Sequence, residues 1–76
     1  MTERDLFERV GATLWGPLWV APMAVALEVS ERSVRYWRAG RDIPEGVWDD
    51  LYAIAERRKS EIFAIQWKIE ARERSA

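Results

Sequence analysis

The sequence has no cysteine and no histidine. Those absences rule out a disulfide framework, a Cys/His zinc site, a thiol nucleophile and any histidine-based acid–base dyad or triad. Asparagine is also missing, and the only glutamine is Gln66. There are four glycines, Gly11, Gly16, Gly40 and Gly46, and the nearest approach to a phosphate-cradling loop, Gly11 to Gly16, is followed by Pro17 where that loop needs lysine. The longest uncharged stretch, Val10 to Leu27, is interrupted by Gly11, Gly16, Pro17 and Pro22 and preceded by a charged segment, so it is neither a signal peptide nor a membrane span. With no targeting segment, the expected location is the cytoplasm. A chain of 76 residues is one small domain with a limited core, and a partner subunit is expected to complete its stability.

What is present is charge, unevenly placed. Twelve basic residues against 13 acidic ones give a net charge of −1. Residues 28–41 nevertheless carry Arg32, Arg35, Arg38 and Arg41 against only Glu28 and Glu31, while residues 42–61 hold six acids and three bases. A focused basic patch can serve as an electrostatic footprint for nucleic acid on a domain that is acidic overall, with modest, salt-sensitive affinity.

The apolar periodicity is helical throughout, and no strand signal, repeat or low-complexity segment appears, so the predicted class is all-α. Thr2 caps a helix over about Glu3 to Trp15, with Leu6, Phe7, Val10 and Leu14 on one face and Gly16-Pro17 as the stop. Pro22 is placed to open a brief second helix, about Pro22 to Glu28. Ser30 caps a third, Glu31 to Ala39, which Gly40 stops; Val34 and Trp37 face inward, with Arg32, Arg35 and Tyr36 on the outer positions. Pro44 opens a long C-terminal helix whose core face is expected to comprise Val47, Trp48, Leu51, Tyr52, Ile54 and Ala55. Past the charged run Glu56-Arg57-Arg58-Lys59, Ile62, Ile65 and Ile69 repeat at three and four residues, with Phe63 and Trp67 on a neighbouring stripe. Trp15, Trp19, Trp37 and Trp48 read as core or near-core packing, not as base-stacking platforms.

The segment from Pro22 to Gly40, PMAVALEVSERSVRYWRAG, resembles the helix-turn-helix of the lambda-repressor-like (Cro/C-repressor, XRE-type) DNA-binding family. Ala24 matches the small residue where the two helices cross, and Met23, Leu27, Val29, Val34 and Trp37 match the apolar positions that lock the pair. Trp19 upstream and Gly40, Ile43, Pro44, Val47 and Leu51 downstream extend the similarity over about residues 14 to 57. One position departs from the pattern: the tight turn, where the backbone tends toward positive φ, usually has glycine, and here it is Glu28. The resemblance implies a small regulator of phage or mobile-element type, a homodimeric repressor or autorepressor laying one helix per subunit in successive major grooves of double-stranded DNA.

On that reading the DNA-contacting residues are Ser30, Glu31, Arg32, Arg35, Tyr36, Arg38 and Arg41, with Tyr36 and Arg41 assigned to the phosphate backbone. The lack of Asn and Gln on the third helix removes the usual adenine readers, whereas arginine suits guanine and Glu31 suits cytosine, so G·C pairs are expected in the operator. Ile62, Phe63, Ile65, Gln66 and Ile69 form the expected dimer interface, within a dimerisation helix end spanning 62–76. No cofactor, metal, small-molecule effector or membrane partner is expected. Catalysis is not expected either, because the neighbouring acids Asp49 and Asp50 face different directions on a helix. The alternative reading is a protein-interaction module of the same fold, an antirepressor or inhibitor using the acidic surface from Asp42 to Asp50.

Overall fold

The computed structural model describes residues 1–75; Ala76, the last residue of the expected dimerisation segment 62–76, lies outside the described residues. The described chain is all-helical: α1 (Glu3–Trp15), α2 (Val20–Leu27), α3 (Glu31–Arg38) and α4 (Glu45–Ser75).

Local chemistry fixes most of the helix ends. The Thr2 hydroxyl accepts from the Asp5 amide at 3.1 Å, and Gly16, at φ 84°, donates its N–H to Ala12 to close α1. Helix α2 begins at Val20, two residues before the expected start, so Pro22 occupies its third position. Proline is tolerated there because the first four helical N–H groups have no intrahelical acceptor in any case. Helix α2 also stops at Leu27, one residue short of the expected end, because Glu28 leaves helical geometry at φ 58°. Helix α3 ends at Arg38, with Ala39 as its cap and Gly40 turning the chain at φ 115°. Pro44 stands just outside α4, its carbonyl accepting from the Val47 amide at 3.0 Å.

Eight apolar residues are buried: Phe7 from α1, Trp19 at the head of α2, Met23, Ala24 and Leu27 from α2, Val34 from α3, and Val47 and Leu51 from α4. Phe7 is the hub. Its ring meets Trp19, Trp37 and Trp48 edge-on, with centroids 5.5, 6.2 and 6.1 Å away; such pairs add about 0.5–1.5 kcal/mol each beyond the area they bury. The Trp19 ring also lies directly on α1 at Gly11, where any Cβ would overlap it. Among the described residues, the buried indole N–H of Trp48 has no acceptor.

Three expected core positions on α1 and α4 are instead exposed: Leu6, Tyr52 and Ala55. The reason is geometric. Helix α4 packs only one side against the bundle, and a stripe as wide as Val47 to Ala55 turns its edges to solvent. The body is about 20 Å across, whereas the molecule measures 52 × 21 × 20 Å. Its long dimension is α4, whose 31 residues span about 46 Å at 1.5 Å per residue. Among the described residues no single helix is long and apolar enough to cross a membrane, and the apolar α1–α2 stretch bends by 91° and supplies five of the eight core residues.

Candidate nucleic-acid interface

Helix α3 stands on α1 and α2 through Val34, which is fully buried, and Trp37, which is half-buried against Phe7. The turn before it is built from backbone. The Val29 amide donates to the Ala24 carbonyl at 3.0 Å and the Glu28 amide to Val25 at 3.2 Å, with Glu28 in the left-handed region and Val29 packed on the core. This is a Schellman-type closure, which satisfies the last carbonyls of α2 and sets the angle at which the chain re-enters a helix. The Ser30 hydroxyl then accepts from the Ser33 amide at 3.1 Å, capping α3. A second closure of the same kind follows α3, with the Arg41 amide donating to Tyr36 at 3.1 Å and the Gly40 amide donating to Trp37.

The outward face that results carries Glu31, Arg32, Arg35, Tyr36 and Ala39, all exposed. Tyr36 sits at its centre. Arg32 Nε donates to the Tyr36 hydroxyl at 2.8 Å, with its guanidinium 5.5 Å from the ring centroid, and Arg41 covers the ring at 4.8 Å. The phenol thus fixes two cations on one edge of the helix. Arg35 pairs with Glu31 at 2.9 Å, both side chains at least half exposed. A pair so open contributes only about 0.2–0.5 kcal/mol and can be exchanged for a stronger acceptor.

Arg38 differs from the other expected contact residues. Its Nε donates to Glu8 on α1 at 3.2 Å, its guanidinium lies 5.4 Å from the Trp19 ring, and its carbonyl accepts from Arg4 Nε at 3.0 Å. Arg38 therefore ties α3 to α1. Ser30 has its hydroxyl engaged in the cap, although it remains exposed. Of the seven expected contact residues, the structure gathers Glu31, Arg32, Arg35, Tyr36 and Arg41 on one surface and gives Arg38 and Ser30 structural work. Sequence reasoning did not single out Arg4 and Glu8 as the anchors of α3. Their spacing of four on α1 was the available signal, but the partner lies 30 or more residues away.

The expected dimer residues stand apart from this surface. Ile62, Phe63, Ile65, Gln66 and Ile69 all lie on the part of α4 beyond the body and are exposed, Phe63 by 70% and Ile65 by 58%. None of them is buried by another of the described residues. At the root of this segment a hydrogen bond and charge attraction from Glu56 raise the pKa of the Lys59 ammonium. Among the described residues no three acidic side chains gather as a metal site would require. No protein-family model, curated protein or solved structure matches this chain.

Proposed function

We propose that the chain is a sequence-specific DNA-binding transcriptional regulator that acts as a homodimer, with α3 lying in the major groove. The observation that carries this reading is the outward face of α3. A short helix is held by Val34, Trp37 and Arg38, and it presents Arg32, Arg35 and Tyr36 to solvent, with Arg41 from the turn that follows laid over the Tyr36 ring. The resemblance of Pro22–Gly40 to the lambda-repressor-like family supports the same reading, as does the left-handed turn residue at the position where that pattern calls for one. Within this proposal, Arg32 and Arg35 read base edges, Arg41 and Tyr36 sit against phosphates, and Ser30 and Arg38 hold the helix in place. Repression follows when a dimer over a promoter element denies that DNA to polymerase.

The test is equilibrium binding of the purified protein to random duplex at low salt, followed by selection of sites from random DNA. Micromolar or tighter binding to random duplex is expected, with a selected consensus of G·C-containing half-sites in inverted repeat about 10 base pairs apart, centre to centre. An absence of binding at low salt would favour the interaction-module reading, which is supported by exposed Asp42 in the loop before α4 and exposed Glu45, Asp49 and Asp50 in its first turns.

A further inference from the structure

The exposed side of α1 and α4 carries a continuous apolar groove. One recess, of about 430 Å³, is lined by Leu6 and Val10 of α1 and by Trp48, Asp49, Leu51, Tyr52 and Ala55 of α4. A second, of about 270 Å³, is lined by Thr13, Leu14, Ala55, Arg58, Lys59 and Ile62. The two meet at Ala55. Leu6 is 41% exposed and Tyr52 70% exposed along its walls.

We propose that the occupant of this groove is the free end of α4 from a second copy, so that two chains dock reciprocally with their α4 helices antiparallel. This inference rests on the homodimer part of the proposed function and adds to it a geometry and a second surface. Three observations carry it, beginning with face. At 100° per residue, Ile62, Ile65 and Ile69 lie within about 60° of one another and in phase with Val47 and Leu51, so they prolong the buried face of α4 past the body. Length gives the second: from Ser60 to Ser75 the helix runs about 22 Å, matching a body about 20 Å across.

Charge gives the third and fixes the direction. The first turns of α4 carry Glu45, Asp49 and Asp50 and no base, whereas its last turns carry Lys68, Arg72 and Arg74 against Glu70 and Glu73, so the two ends differ in the sign of their net charge. Antiparallel packing brings these opposite signs together, whereas a parallel seam sets each cluster beside its own copy. With the helices crossing at Ser60, Ile65 faces Ala55 of the second copy, Ile69 faces Leu51 and its neighbour Tyr52, and Lys59 faces Glu61. The small Ala55 side chain leaves room for isoleucine where the two recesses join. No groove residue belongs to α3, so the basic face stays free.

The absence of native cysteine makes the geometry directly testable by cross-linking. An Ile65→Cys variant mixed with an Ala55→Cys variant and oxidised gently is expected to give a mixed disulfide. Either variant alone is expected not to cross-link, because antiparallel packing holds identical positions about 15 Å apart along the axis, beyond the reach of a disulfide. Leu6→Glu, a change at an exposed site, is expected to weaken the dimer about 100-fold in sedimentation equilibrium with the helical circular dichroism unchanged. Self-cross-linking of Ile65→Cys, a dimer that forms no mixed disulfide, or a wild-type monomer at tens of micromolar would each overturn the proposal. All measurements are made without DNA, so the outcome is independent of whether α3 binds DNA.

Discussion

Gly11 stands inside α1, where glycine ordinarily costs about 0.5–1 kcal/mol relative to alanine. It is retained by the Trp19 ring, which occupies the volume a Cβ would need. Gly11→Ala should therefore destabilise the domain, by about 3 kcal/mol at the upper end of overpacking effects, as a falling midpoint in urea denaturation. Glu28 is the reverse case: a side chain in the left-handed region, at φ 58°, where glycine would be unstrained. Glu28→Gly should raise the melting temperature by about 4–8 °C, as expected for roughly 1 kcal/mol in a domain of this size. The Glu28 position was legible through the resemblance of Pro22–Gly40 to a helix-turn-helix pattern that usually has glycine in this turn, where the backbone tends toward positive φ. Gly11 was not, because its neighbour lies eight residues on, across a helix end, and the glycine read equally well as part of a failed phosphate loop.

At the level of elements, α3 divides its arginines between two tasks, and the division predicts different phenotypes. Arg35 pairs with Glu31, one turn back, through two exposed side chains, so Arg35→Ala should lower the melting temperature only slightly. If Arg35 reads a base, the same substitution costs about 1–3 kcal/mol of operator affinity. Arg38 bonds Glu8 and covers Trp19, so Arg38→Ala should lower the melting temperature by several degrees, with any loss of DNA affinity following from a displaced helix. Thermal melts and titrations of both variants separate the two roles. Helix start and stop signals such as Thr2, Gly16, Ser30 and Gly40 were legible because they act on backbone groups within four residues. The fate of Arg38, and the exposure of Tyr52 and Ala55, depend on where α1 lies across the bundle, which no local pattern encodes.

The whole molecule consists of a compact body and a protruding rod. From Lys59 through Arg74 every residue of α4 is exposed, and among the described residues the last buried side chain is Leu51. Removing residues 62–76 should therefore leave the body folded. Its melting temperature should not vary with protein concentration, whereas that of the full chain should rise with concentration as mass action favours the assembled form; calorimetry across a range of concentrations checks both. Within the body, Phe7 meets Trp19, Trp37 and Trp48 in T-shaped contacts, and so joins α1 to the head of α2, to α3 and to α4 at a single point. A helix anchored in this way cannot loosen by itself: freeing Trp37 removes a face of the one ring on which the other two tryptophans rest. The backbone of α3 is consequently set before any encounter, so a ligand bound on its outward face would have to order exposed side chains but not the helix itself.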